Sequence, residues 1–357
     1  MKGRSILKAG ALAALLAAGG FLLAASGIVP IKASSGHFAI TEWFLNFAKR
    51  RSVATHTIGA EEPALDETWL VLKGAGHYDL GCRPCHGAPG SPQPRVARAM
   101  TPPPPFGPEI AAWEPEELFY IVKHGIKFTG MPAWPSQQRD DEVRAVVAFL
   151  LTLPDTDAEA YRRLVHREEV AASPDESLVV LGECARCHGV DGCGRELPAF
   201  PRLAGQRSEY LVAALQAYAD DQRHSGIMQP IAAGLHVDDV RRLADYYADL
   251  PGCPPLAAKS ASASTRGERI AYLGVPERRV PSCTDCHGPG FPDRSLAAPG
   301  LAGQYAEYLV LQLELFRSRQ RGGGSHAHLM DPVASRMTSE QMYDVAMYYS
   351  SLPPTGQ

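Results

Sequence analysis

Six of the eight cysteines stand in three short motifs that each end in histidine: Cys82-Arg83-Pro84-Cys85-His86, Cys184-Ala185-Arg186-Cys187-His188 and Cys283-Thr284-Asp285-Cys286-His287. Two thiols three positions apart at a helix end can point the same way and add across the two vinyl groups of one porphyrin. The adjoining imidazole is a good iron ligand, and covalent attachment retains a cofactor that a small module cannot bury alone. Zinc and dithiol redox chemistry are the competing uses of such a pair. Zinc wants four ligands, and no second pair lies at suitable spacing within any one motif's stretch of chain. Dithiol exchange needs a βαβ setting, whereas the flanking patterns are helical. The expected cofactors are therefore three covalently bound haem c groups, on Cys82 and Cys85, Cys184 and Cys187, and Cys283 and Cys286, with iron on His86, His188 and His287.

A sixth iron ligand has to come from later in each stretch. Met228 is the lone methionine of the second. Met228-Gln-Pro-Ile aligns with Met330-Asp-Pro-Val, and Gly130-Met131-Pro132 supplies Met131 to the first, at separations of 40, 43 and 45 residues from the respective histidines. Met100 competes with Met131, while Met337, Met342 and Met347 sit on or beside a helix where packing accounts for them. His124, His224, His326 and His328 are alternative ligands that would lower the potential. His37, His56, His77, His166 and His236 need no functional reading.

The elements that must position these residues recur three times. Each stretch has a helical approach, the cysteine motif, a Pro/Gly-rich loop, a methionine and a closing amphipathic helix. The closing helices run from Val143, Val240 and Met342 to Leu-Pro at Pro154, Pro251 and Pro353. Apolar positions fall on one stripe in each, as Val143/Val146/Val147/Leu150, Val240/Leu243/Ala244/Tyr247 and Met342/Val345/Ala346/Tyr349, and proline ends the helix. The second and third stretches also share Leu-Ala-Gly-Gln, at 203–206 and 301–304, each followed by Glu-Tyr-Leu-Val. The first has Thr101 to Pro105 and Gly130-Met-Pro-Ala-Trp134 instead. Boundaries fall near Glu168 to Pro174 and in the Ala/Ser-rich run from Leu256 to Thr265.

At the amino terminus Lys2, Arg4 and Lys8 precede 23 uncharged residues, Ala9 to Ile31. That length spans a bilayer core, and the basic flank places the remainder on the far side of the membrane. A cleaved signal peptide is the alternative, with small residues at Ala24, Ala25 and Ser26. From His37 to Arg51, four aromatic residues ahead of a basic trio suit a short amphipathic helix at the lipid surface or a docking segment for a membrane partner. A formal charge of -4 and no long basic run give no footprint for nucleic acid. Cys193 and Cys253 are left over, and an oxidising compartment permits a disulfide between them or two buried thiols.

Through Cys184-to-His188, Leu203-to-Gln206, Met228 and their counterparts, the chain resembles class I c-type cytochromes, with stretches two and three similar to tandem two-haem periplasmic cytochromes c. Stretch one, with Gly130-Met131-Pro132, resembles single-haem domains attached to respiratory oxidases and dehydrogenases. The resemblance implies Met131, Met228 and Met330 as axial partners of the three histidines, and outer-sphere electron transfer rather than enzymatic turnover. The expected fold is mainly α: anchor 1–35, membrane-proximal segment 36–65, and class I cytochrome c-like helical domains at 66–165, 166–256 and 267–357, with a linker at 257–266. The expected role is electron transfer in a bacterial respiratory chain on the periplasmic face of the inner membrane. The expected partners are a membrane-bound oxidoreductase or terminal oxidase, other cytochromes, and the lipid bilayer through the N-terminal helix; the alternative role is electron-transfer subunit of a membrane-bound dehydrogenase.

Overall fold

The computed structural model describes residues 2–29, 32, 36–99, 109–165, 176–257, 260–288 and 298–353, without the side chains of 2–5 and 176–180. Met100, the proline run from Thr101 to Pro105, His166, the boundary near Glu168 to Pro174, two linker positions at 258–259 and the tail from 354 lie outside these residues.

Every regular element among the described residues is helical, and β pairing is confined to three isolated bridges. Helix α1 (Lys2–Ala25) contains an apolar stretch, Ile6–Ala25, of mean hydropathy 2.0, none of it buried. Such a length and composition suit a membrane span and a signal sequence alike. Helix α2 (Ala39–His56) exposes Trp43, Phe44 and Phe47 near its start. Its far end is docked: Val53 is buried, Arg50 stacks on Trp113 at 4.9 Å, and His56 stacks on Tyr120.

A first helical group comprises α3 (Trp69–Gly81), α4 (Arg83–His86), α5 (Arg95–Ala99), α6 (Pro115–His124), α7 (Asp140–Thr152) and α8 (Ala158–Leu164). A second has α9 (Glu176–His188), α10 (Ser208–Ala219), α11 (Met228–Ala233) and α12 (Val237–Asp249). A third has α13 (Ala261–Leu273), α14 (Thr284–His287), α15 (Ala306–Arg317), α16 (Met330–Arg336) and α17 (Ser339–Ser351). The three apolar stripes expected from periodicity are buried in α7, α12 and α17. Each closing helix starts three residues before the aligned apolar position, because acidic side chains in the first turn favour the N-terminal dipole. In α17 a reciprocal Thr338/Gln341 capping box fixes that start.

The approach and closing helices cross at glycine. A Cβ on Gly74 of α3 would collide with the Ala145 carbonyl of α7, and one on Gly267 of α13 with the Asp344 carbonyl of α17. Backbone-to-backbone contact of this kind lets Tyr78, Phe149, Met342 and Met347 pack without exposure. The run read from composition as a linker differs from that expectation: Ser260 caps α13, and Ala263 is 1% exposed in the third core. Small residues there serve close helix packing rather than flexibility, since alanine is a strong helix former.

Candidate cofactor sites

All three cysteine motifs lie at helix ends. Cys82 caps α3 and its amide donates to the Tyr78 carbonyl, with Cys85 and His86 on the single turn of α4. Cys184, Cys187 and His188 end α9 without a break, whereas Cys283 caps the short α14. None of these six cysteines forms a disulfide. Burial pushes the Cys82 and Cys184 thiols up to about 12 and those of Cys187 and Cys283 to about 11. Dithiol exchange relies on an accessible thiolate, which burial disfavours at both cysteines of the second motif, whereas Cys85 and Cys286 are exposed.

The His188 Nδ1–H donates to the Pro201 carbonyl at 3.0 Å, and the His287 Nδ1–H to the Pro299 carbonyl at 2.9 Å. Burial holds both rings below the usual histidine range, hence neutral. A donor bond at Nδ1 leaves the Nε2 lone pair for a metal and fixes the ring plane. In the first group the loop that would face His86 includes residues 100–108, outside the described set.

The three candidate methionines are half-buried. Met228 opens α11 and Met330 opens α16 in equivalent positions, while Met131 lies in the coil between α6 and α7. Met330 and Cys283 border one apolar cluster. The competing methionines Met337, Met342 and Met347 are buried in the third core. Among the alternative histidines, His124 packs on Tyr120 at 4.7 Å, His224 approaches Asp221, and His326 and His328 bond to Ser325.

A further observation fits a porphyrin. Arg223 and Arg321 are buried together, bonded to Tyr210, Tyr308 and Gln312, and among the described residues neither has a carboxylate partner. Burial, and then the Arg223 charge, lowers Arg321 from its usual range. The two propionates of a bound porphyrin are the negative groups such a pair lacks.

Cys193 and Cys253 form a disulfide, with Cα atoms 5.6 Å apart. It braces the loop after His188 against the chain beyond α12, and Tyr305 donates to the Cys193 carbonyl from the third group. The repeated Leu-Ala-Gly-Gln has a similar bridging use. Gln206 brackets the backbone of Gly300, accepting from its amide and donating to its carbonyl, while Gln304 does the same to Arg202.

Two carboxylates that sequence reading passed over join the first group to the second. Asp79 of α3 accepts from Arg186 and the Tyr161 hydroxyl and forms an ion pair with Arg83. Glu142 of α7 accepts from Trp134 Nε1 at 3.0 Å, Ser225 Oγ at 2.6 Å and the Gly226 amide at 2.7 Å. The Asp140-Asp141-Glu142 run resembles an ordinary acidic first turn, so local pattern carried no signal for Glu142's role.

A family model described as cytochrome c oxidase, cbb3-type, subunit III matches residues 70–150, and one described as cytochrome c matches residues 177–250. The chain is similar to the thiosulfate dehydrogenase electron acceptor of Thiomonas intermedia, 36% identical over 51% of this chain and 82% of that protein. It is also similar to cytochrome c4 of Thiocapsa roseopersicina, 36% identical over 48% of this chain and 88% of that one. A solved structure of cytochrome c4 from Acidithiobacillus ferrooxidans aligns at 36% identity and a TM-score of 0.42, over 47% of this chain and 98% of that chain.

Proposed function

Because the chain belongs to the cytochrome c family, we propose that it is a membrane-anchored carrier with three haem c groups, one in each helical group, working on the periplasmic face of a bacterial inner membrane. Cys82, Cys85, Cys184, Cys187, Cys283 and Cys286 hold the porphyrins. His86, His188 and His287 would each supply iron with a nitrogen ligand, and Met131, Met228 and Met330 with a sulfur ligand. Bound haem would supply a one-electron iron couple whose potential rises with methionine ligation. Two strong axial ligands leave no coordination position for a substrate, which favours carriage over catalysis. The observation that carries the reading is the pair of Nδ1–H bonds to the Pro201 and Pro299 carbonyls, which ready two neutral imidazoles for iron.

The electron donor in this reading is a dehydrogenase, supported by the similarity, over about half of this chain, to electron acceptors of thiosulfate dehydrogenase. The acceptor is a terminal oxidase, for which the match of residues 70–150 to an oxidase-subunit model is the support. The cytochrome subunit of a membrane-bound dehydrogenase is the second reading. Mass spectrometry of the mature polypeptide should find three attached porphyrins and an intact α1; fewer porphyrins would overturn the haem assignment, and a start beyond Ser26 the anchor. Reduction by a thiosulfate-oxidising dehydrogenase, with reoxidation by solubilised membranes, tests the partners.

A further inference from the structure

The loop that presents Met228 is fastened to a different helical group from its own. Ser225 and Gly226 both donate to Glu142 of α7, while Ser225 Oγ accepts from the Met228 amide at 3.0 Å. Arg139 adds a bond to the His224 carbonyl at 2.7 Å, and Gly226 lies so close to the Trp134 indole that no Cβ fits between them. The same carboxylate also takes the indole N–H of Trp134, three residues after Met131. Glu142 is 2% exposed, so its three hydrogen-bond donors and its ion pair with Arg139 at 3.1 Å are held in a dry site where each interaction is strong.

We infer that Glu142 is a shared positioning residue, one carboxylate that sets the loops carrying both Met131 and Met228, so that the sulfur ligands of the first two iron sites are fixed jointly, with Met330 outside that carboxylate's contacts. This rests on the assignment of those methionines as iron ligands. Among the described residues Met330 has no bond to this carboxylate: it opens α16 and packs on the third group's core, and its loop meets the Met228 loop farther back, where the His224 amide donates to the Arg321 carbonyl and Arg223 pairs with Gly322. A carboxylate is needed because three neighbours donate and the fourth is the Arg139 guanidinium; glutamine would turn an amide N–H2 toward two of them.

The test is proton NMR of the reduced full-length holoprotein, in which each iron-bound methionine methyl gives a strongly upfield resonance, assigned with Met131→Leu and Met228→Leu. Glu142→Gln should displace or abolish two of three methyl resonances and leave the Met330 methyl in place. Ser225→Ala should move the Met228 methyl alone, and Ser225→Thr, which keeps the hydroxyl, should restore it. A merely structural role would lower the melting temperature without singling out two methyls. Unmoved resonances in both variants, or equal movement of all three, would overturn the inference. Should Glu142→Gln fail to accumulate, the Met228 methyl in Ser225→Ala decides by moving or not moving. A wild-type spectrum without upfield methyls would remove the methionine assignment itself, and the inference with it.

Discussion

Asp79 of α3 and Arg186, which stands between the two cysteines of the second motif, form a buried ion pair across 107 residues of sequence. Arg83, between the cysteines of the first motif, binds the other oxygen of the same carboxylate at 2.7 Å. One acid therefore joins the first two cysteine motifs. Gly76 of α3, three residues before Asp79, lies against Phe200 and close to Cys187.

Replacing Asp79 with alanine leaves the Arg186 guanidinium buried, with only the half-exposed Glu183 as counter-charge. Removing one partner of a buried pair costs about 3–5 kcal/mol. Chemical denaturation of the holoprotein should show a loss of that order, with the resolved midpoint potentials of two sites shifting. An unchanged denaturation midpoint would mean that the pair is dispensable.

The glycine crossings tolerate no side chain. Gly267→Val should disrupt the α13/α17 contact at a cost of about 3 kcal/mol or more, the upper end for overpacking. Calorimetry should show the third group melting earlier, while the other transitions move little.

The Cys193–Cys253 disulfide closes a loop across a sequence separation of 60. In the chain-entropy account a loop of that size is worth about 4 kcal/mol. The double Cys→Ser variant should melt well below the wild type yet carry the same number of porphyrins, since neither cysteine belongs to an attachment motif. A reduced porphyrin count would give the disulfide a role in cofactor attachment.

His77 is buried against Trp134 and beside Lys73, and burial, followed by the Lys73 charge, lowers it to about 3. Its unfolded counterpart takes a proton near about 6.5. The unfolded state thus binds more protons across that window, so stability falls as pH drops from about 6.5 towards 3, by at most about 1.4 kcal/mol per pH unit from this group. His77→Gln should flatten that part of the stability curve. An identical slope in the variant would remove His77 as the cause.

Much of the local structure was legible beforehand. The stripes Val143/Val146/Val147/Leu150, Val240/Leu243/Ala244/Tyr247 and Met342/Val345/Ala346/Tyr349 are buried because a helix presents every third or fourth side chain to one face. Leu-Pro marks the close of each final helix, and the amphipathic segment after His37 is helical from Ala39, though it runs on to His56. The Ala/Ser run before Gly267 misled, because small residues signal both flexible linkers and close helix contacts.

By itself the sequence located three Cys-x-x-Cys-His motifs at helix ends and determined which faces of the closing helices go inward. Both follow from spacing over a single helical turn or two. Only the tertiary structure decided that Arg186 answers to Asp79, that Glu142 answers to Ser225 and Gly226, and that Gln206 and Gln304 exchange backbone partners. These contacts join positions 83 to 107 residues apart. No periodic pattern encodes such a pairing; it forms when packed helices bring a buried charge or amide within reach of donors it must satisfy.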